Sequence, residues 1–343
     1  MQACLIERYS SGELHFDDVS KPNSPATKQV QIQMLGTSIN PIDQLIVAGY
    51  GAPIFNPKSR FPVIPGRDGI GRVLKCGTGV KGIEPGQRVL VAVSPRAGGT
   101  YADVVNVPLN SVISIPDSLS DELAAGIGYA GLTALQSLSA AGVTEASAKD
   151  QRIIINGASG GVGSIAVVLA THWGAHVTGT ASSKNHVWLN QLGCYNVVDY
   201  NNHADMSRLD AGIVLNFAPP RGEHRVAEDP LLQELCRRQG RRKAYVTTVT
   251  PLLGQVTERG LLPGLGSGLS MLMKRRVSSA LHGIKYRWVL FKENQAELRL
   301  LADVFSQPGV PSVISASNPI GSLPAVFNGG TGSGNGKQVF MWE

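Results

Sequence analysis

Residues 152 to 174 read RIIINGASGGVGSIAVVLATHWG. Three consecutive isoleucines without a polar alternate predict a strand covered on both faces, as in a parallel sheet. Glycines and small residues follow, then an apolar run that closes at Gly174, the pattern of a helix with a glycine stop. A strand that turns into a helix over glycines exposes the unpaired first-turn N–H groups, and these favour an anion. In this turn, Ser159, Gly160, Gly161, Val162 and Gly163 are the candidate binding residues. Gly160 permits close approach of a ligand and Gly163 permits close packing of helix on strand. Ala158 stands where the first glycine of G-x-G-x-x-G would be.

A strand of this kind needs parallel neighbours. HVTGT, AGIVLNFA, KAYVTTV and SSALHG read as further strands and NHVWLNQLG as a further helix. DELAAGIGYAGLTALQSLSAAG opens the region as a helix capped by Ser120. Residues 121–284 are therefore expected to form a doubly wound parallel sheet. Residues 1–120 read differently: QVQIQML, GIGRVLKCG, QRVLVAV and YADVVNV are short strands between Gly and Pro turns, which predicts an irregular, mostly antiparallel β domain. Residues 285–343 resume short strands and turns and end in KQVFMW, a tail suited to returning to the first domain. The fold class is α/β, in two domains.

In this setting the glycine turn is a dinucleotide signature, and the second strand decides which dinucleotide it takes. A site for NADH usually has an acid about 20 residues after the turn. No Asp or Glu occurs between Trp173 and Val198, and the strand ends in GTASSK. Ser182, Ser183 and Lys184 suit a 2′-phosphate, so NADPH is expected.

The chain has 343 residues, 43% hydrophobic and 16% charged, enough for two packed cores. Its net charge of +6 is uneven, with 12 Lys+Arg against 13 Asp+Glu up to residue 150 and 19 against 12 beyond it. The basic run RRQGRRK at 237–243 has no aromatic residue for stacking on bases, so nucleic acid is not an expected partner. Four dispersed cysteines form no CxxC pair, which points to free thiols rather than disulfides or a zinc knuckle. No stretch reads as membrane-spanning. GLLPGLGSGLSMLM, within an apolar loop at 251–273, is too short and too interrupted. The N-terminus lacks a secretion signal, so the expected location is cytoplasmic.

SINPIDQLIVAGYG, FPVIPGRDGIGRV, GASGGVG and GKQVF together resemble the zinc-free quinone oxidoreductases of the medium-chain dehydrogenase/reductase superfamily. Within that group GYGAP, AYVTTVTPLL and HGIKYRW look most like the reticulon-4-interacting-protein-like subgroup. The resemblance implies a GroES-like irregular β-barrel catalytic domain beside a Rossmann domain. The catalytic-zinc positions of the superfamily's alcohol dehydrogenases correspond to Asn40, Arg67 and a position near Tyr129. An amide and a guanidinium are not zinc ligands, so no metal is expected.

By the same resemblance, Asn40, Asp43 and Tyr50 lie beside the reacting ring. Asn40 would orient the acceptor, Asp43 position that segment and Tyr50 donate a proton. Thr133 would pack on the nicotinamide, Tyr200 near the adenosine, and Asn216 and Lys337 near the cofactor. The structural alternatives are an ordinary turn at Asn40, a rim aromatic at Tyr50, a buried helical threonine at Thr133, a strand-end tyrosine at Tyr200 and a surface lysine on an edge strand at Lys337. The expected function is NADPH-dependent hydride transfer to a small hydrophobic quinone or enone, in an apolar cleft between the domains, by a homodimer. The competing reading is a non-enzymatic NADPH-binding interaction protein whose basic residues at 237–243 and 274–276 contact a partner or an acidic membrane surface.

Overall fold

The computed structural model describes residues 1–9, 13–202, 206, 209, 211–218, 230–237, 243–329 and 334–343. Most of the basic run 237–243, the segment after Ala218 and half of the glycine-rich patch at 329–336 lie outside the described residues. The chain divides into two compact units, Met1–Leu132 with Phe291–Glu343, and Thr133–Leu290.

The first unit opens with the hairpin β1 (Gln2–Leu5) and β2 (His15–Asp18). Then come β3 (Gln29–Ser38), the short helices α1 (Pro41–Val47) and α2 (Ala52–Phe55), β4 (Asp68–Cys76), β5 (Arg88–Ala92), β6 (Val104–Pro108) and β7 (Val112–Ser114). Helix α3 (Asp121–Ala141) contains the first division point and is capped by Ser120 Oγ, which accepts from the Leu123 N–H at 3.3 Å.

The second unit continues with β8 (Arg152–Asn156), α4 (Gly161–His172), β9 (His176–Ala181), α5 (His186–Gln191), β10 (Asn196–Asp199) and β11 (Ile213–Asn216). It closes with α6 (Pro230–Arg237), β12 (Lys243–Thr247), α7 (Leu252–Arg259), α8 (Leu261–Ala280) and β13 (Ile284–Trp288). The chain ends in α9 (Gln295–Phe305), β14 (Ile314–Pro319), α10 (Leu323–Asn328) and β15 (Lys337–Met341), all in the first unit.

In the first unit the sheet order is β14-β15-β3-β4-β5-β7, with β6 also on β3. Strand β3 holds β6 along Gln29–Gln33 and β15 along Gly36–Ser38. Its register against β4 shifts at Gln31/Ile32 and Met34/Gly36. Two glycines allow the close approach: a Cβ on Gly69 would lie 2.3 Å from the Gly36 carbonyl, and one on Gly71 would lie 2.4 Å from that of Gln33. Val30, Ile32, Met34, Val73, Val89, Val91, Val105 and Val107 fill the interior.

The second unit is a six-stranded parallel sheet in the order β10-β9-β8-β11-β12-β13, which is the 3-2-1-4-5-6 order of a doubly wound nucleotide fold. Gly157 has φ +77°, a conformation open to glycine, and starts the turn after β8. A Cβ on Gly163 would lie 2.1 Å from the Gly157 carbonyl, so α4 rests directly on the turn.

Three expectations are corrected. SSALHG is not a strand: Ser278–Ala280 end α8, Gly283 turns the chain at φ +70°, and the strand is the alternating IKYRW that follows. Residues 251–273 are not a loop but lie in α7 and α8. Their glycines are contact points rather than breaks: a Cβ on Gly264 would lie 2.4 Å from Val256 Cα, and one on Gly268 would lie 2.6 Å from Leu252 Cδ1. The C-terminal region also holds two helices, α9 and α10, besides its strands; α9 buries Leu298, Leu301, Val304 and Phe305 along one face.

The Gly163 contact yields a test independent of any ligand. Gly163→Ala should lower the unfolding free energy of the nucleotide-free protein by about 1–3 kcal/mol, the usual cost of forcing a methyl into packed backbone. Urea unfolding would check this, and an unchanged midpoint would show that helix and turn can part freely.

Candidate functional site

The second unit brings most of its predicted residues to the carboxyl end of its sheet. Gly160, extended at φ −77° and ψ 171°, is the N-cap of α4, so the N–H groups of Gly161, Val162 and Gly163 begin the helix without intrahelical acceptors. Ser182, Ser183 and Lys184 follow the end of the neighbouring β9, with Ser183 and Lys184 exposed. Turn and serines share one sheet end because Asn156 pairs in register with Thr180. This is an anion cradle with a cation and hydroxyls beside it, and it fits a phosphorylated dinucleotide.

Counting acids along β9 missed a carboxylate on the next strand. Asp199 ends β10 in register with Ala181, and its Oδ2 accepts from the Ser183 N–H at 3.2 Å. Its Oδ1 accepts from both nitrogens of Asn201 at 2.9 Å. These N–H groups hold its pKa below the ordinary value, the Asn201 backbone most of all. The carboxylate is thus used in closing the loop that presents Ser183 and Lys184. Tyr200 comes next in the chain and is half-buried.

Asn216 is buried and heavily bonded. Its Oδ1 accepts from Asn156 Nδ2 at 2.8 Å and from the Ala218 N–H at 3.1 Å, while its Nδ2 donates to the Tyr245 hydroxyl at 2.8 Å. Thr180 Oγ1 donates to Asn156 Oδ1 at 2.6 Å, extending the network to β9. Asn156, Thr180 and Tyr245 did not stand out in the sequence, although a polar residue ending an apolar strand was the available signal. Thr133 is buried on α3, and its carbonyl accepts from Ser137 Oγ.

The first unit holds a cluster of charges that the sequence showed only in part. Asp43, Arg67, Asp68 and Lys337 are all buried. Asn40 caps the start of α1 and joins them: its Oδ1 accepts from Lys337 Nζ at 2.7 Å, and its Nδ2 donates to Asp68 Oδ1 at 3.0 Å. Lys337 also donates to the Ile39 carbonyl at 2.9 Å. It stands on β15 between β14 and β3, so the surface-lysine alternative is excluded.

Asp68 begins β4. Its carboxylate also accepts from Ser38 Oγ at 2.6 Å and from the Tyr129 N–H at 2.9 Å. Burial raises its pKa, and Lys337 is the largest opposing influence. Burial likewise lowers the Lys337 ammonium, against the pull of Asp68 and Asp43. Asp68 was legible only as an acid that opens the apolar strand DGIGRV.

Asp43 accepts from the N–H groups of Asn40 at 2.9 Å and Gly66 at 3.0 Å and from the Tyr101 hydroxyl at 3.3 Å. Arg67 Nε lies 3.4 Å from Asp43 Oδ1, and its NH1 donates to the Ser94 carbonyl at 3.0 Å. Burial pushes the Asp43 carboxyl up to about 6, while Arg67 and the two N–H groups favour its anion. The Tyr129 ring stacks on Phe291 at 4.0 Å. Tyr50 lies just past α1, with its N–H on the Leu45 carbonyl at 2.8 Å, and is 42% exposed.

Comparison with known proteins places both units. Residues 26–117 match the model of the alcohol dehydrogenase GroES-like domain. The fold matches a quinone oxidoreductase from Coxiella burnetii with a TM-score of 0.79, at 22% identity over 99% of each chain. It also matches the Escherichia coli quinone oxidoreductase complexed with NADPH, with a TM-score of 0.72 at 21% identity over 99% of this chain and 100% of that one. The architecture is thus a GroES-like domain with a Rossmann domain, that of the medium-chain dehydrogenase/reductase class.

The mouse mitochondrial NAD(P)H oxidoreductase RTN4IP1 is 31% identical over 341 residues, covering 95% of this chain and 85% of that protein. The chloroplast envelope quinone oxidoreductase homolog of Arabidopsis thaliana is 35% identical over 203 residues, covering 58% and 61% respectively. This chain belongs to the RTN4IP1-type family of quinone oxidoreductase relatives within the medium-chain dehydrogenase/reductase superfamily. The names of these relatives give mitochondria and chloroplasts, so they lend nothing to a cytoplasmic location. Among the described residues, no helix is long and apolar enough to cross a membrane.

The Asp43 contacts predict a pH dependence. Its folded-state value near 6 lies above the roughly 3.9 of an unfolded Asp. The folded chain therefore holds the extra proton between those values. The associated stabilisation is full below about pH 4 and is lost as pH rises towards 6. Asp43→Asn should reduce that slope in urea unfolding. At pH 7 its cost should be no more than about 1–3 kcal/mol, because burial already favours a neutral group at this position and what is lost is the acceptor capacity for the Asn40 and Gly66 N–H groups and Arg67. Wild-type stability at pH 7 with an unaltered slope would show that the pair is not what holds this segment.

Proposed function

We propose that the chain is an NADPH-dependent, zinc-independent oxidoreductase that passes hydride to a quinone or to a carbon–carbon double bond conjugated to a carbonyl. The observation that carries this reading is the pairing of the glycine turn with Ser182, Ser183 and Lys184 at one sheet end, with Asp199 folded into the loop. The names of the relatives support it, since they give NAD(P)H and quinones as reactants.

The first-turn N–H groups of α4, with Ser159, would hold the pyrophosphate. Lys184 and the two serines would hold the 2′-phosphate, and Tyr200 would lie near the adenosine. Thr133 would pack on the nicotinamide. Asn216 would shape that pocket through the network it completes. The reduced nicotinamide supplies the hydride, and the protein provides orientation and a proton source. On this reading the unit Thr133–Leu290 is the nucleotide-binding part, since β13 pairs in its sheet beyond residue 284, and Met1–Leu132 with Phe291–Glu343 is the catalytic part.

Reduction of a quinone adds a hydride and a proton. Tyr50 is the proposed donor, because its partial exposure lets it reach both substrate and solvent. Asn40 has its oxygen tied to Lys337 and its amide nitrogen directed to Asp68 and, at 3.4 Å, to Ser38 Oγ, so on this reading it orients the acceptor through the segment it holds. Asp43 fixes the segment that carries both. Lys337 would contribute to the cofactor end through Asn40. Where the resemblance puts zinc ligands, Arg67 is a cation already engaged with Asp43.

A homodimer formed through the edge strand β13 is part of this reading. Gel filtration over a range of concentrations should give a dimer, and a monomer at every concentration would refute it.

The cofactor reading is tested by stopped-flow oxidation of NADPH and NADH against quinone and enone panels. NADPH should be preferred, and Lys184→Glu should cut that preference ten- to hundredfold, the worth of hydrogen bonds to a charged group. Tight NADPH binding without turnover on either panel would favour a non-enzymatic binding protein instead.

A further inference from the structure

Helix α8 packs inward through its small residues. Gly264 and Gly268 meet α7, Ser267 Oγ donates to Gln255 Oε1 at 2.7 Å, and Ser279 is buried. Its outer face is the reverse of a normal surface helix. Leu262, Leu269, Met273, Val277 and the C-cap Leu281 are 54 to 82% exposed. At helical spacing they form one stripe about 28 Å long. Such protruding side chains make anchors, not a groove.

Along the chain that carries the stripe, from Arg259 just after Glu258, the charge is of one sign. Residues 259–290 contain Arg259, Lys274, Arg275, Arg276, Lys285 and Arg287 and no Asp or Glu. The remaining 25 Lys+Arg (31 − 6) equal the 25 Asp+Glu of the whole chain, so this stretch accounts for the entire net charge of +6. A second copy laid on the stripe about a two-fold axis would bring two sets of Lys274, Arg275 and Arg276 together, whereas the dimer proposed through β13 uses the sheet edge instead. An anionic partner meets no such penalty.

We propose that the α8 stripe docks the protein on an anionic lipid bilayer, with Leu262, Leu269, Met273, Val277 and Leu281 entering the headgroup–acyl boundary and Lys274 and its neighbours facing the lipid phosphates. Apolar anchors with adjacent cations are the combination that holds interfacial helices at membranes. This surface is separate from the nucleotide turn and does not depend on the proposed reaction, although it would bring the enzyme to lipid-soluble quinones.

The test is co-sedimentation with vesicles of phosphatidylcholine alone and of phosphatidylcholine with one third phosphatidylglycerol. The protein should pellet with the anionic vesicles, less so as salt rises. Lys274→Ala should weaken the partition about fivefold, and the double variant Met273→Glu, Val277→Glu should abolish it. Leu281→Ser, at the helix end, is a milder variant that should reduce it. Thermal unfolding matching wild type would establish that each variant is folded. Absence from the anionic pellet would overturn the proposal, as would binding that survives the double variant. Conversion of a dimer to a monomer by the double variant would also overturn it, because a second copy would then be what covers the stripe.

Discussion

The Asp68 carboxylate is the point on which the first unit depends. A buried anion is tolerated only where its oxygens are bonded and its charge is offset. Here Ser38 and Asn40 come from the end of β3 and the start of α1, and the Tyr129 N–H comes from α3. The offsetting cation, which also bonds the Asn40 amide, is Lys337, 297 residues from Asn40 in sequence. The C-terminal strand is therefore more than an added edge. Without β15, Asp68 would keep its hydrogen bonds but lose its counter-charge.

The same arrangement fixes chemistry that a sequence cannot. An asparagine amide can present either end, and its orientation is set by its partners. A cation on one side and a carboxylate on the other leave Asn40 one choice. The resemblance assigns zinc ligands in related dehydrogenases to the positions of Asn40 and Arg67. In this chain Lys337 and Arg67 lie with Asp68 and Asp43 in one buried cluster, and the contacts among them hold the segment bearing Asn40 and Tyr50.

The sequence was most legible where local backbone demands were strict. The turn after β8 admits only glycine at 163 because a carbonyl lies where a Cβ would go, and the triple isoleucine admits only a covered strand. Reading failed where tertiary packing reversed a local preference. Gly264 and Gly268 weaken a helix on propensity, yet they let α8 lie against α7, and the packing prevails over a cost of about 1 kcal/mol each. It failed again where partners were distant in sequence. Asp199 is invisible to a count along β9 because it arrives through parallel pairing from β10, and Asp68 is one unremarked acid until Lys337 is placed near it.

These two misses bear on function in opposite ways. A carboxylate near Ser183 would ordinarily argue for a ribose hydroxyl and against a phosphate. Its acceptor capacity, however, is directed at the Ser183 and Asn201 nitrogens, so it shapes the loop rather than presenting an open anion. What decides between the dinucleotides is thus the direction in which the acid is bonded more than its presence. By contrast, the buried carboxylate at Asp68 gains its importance from proximity, because through Asn40 it links the strand that ends the chain to the helix that precedes the proposed proton donor.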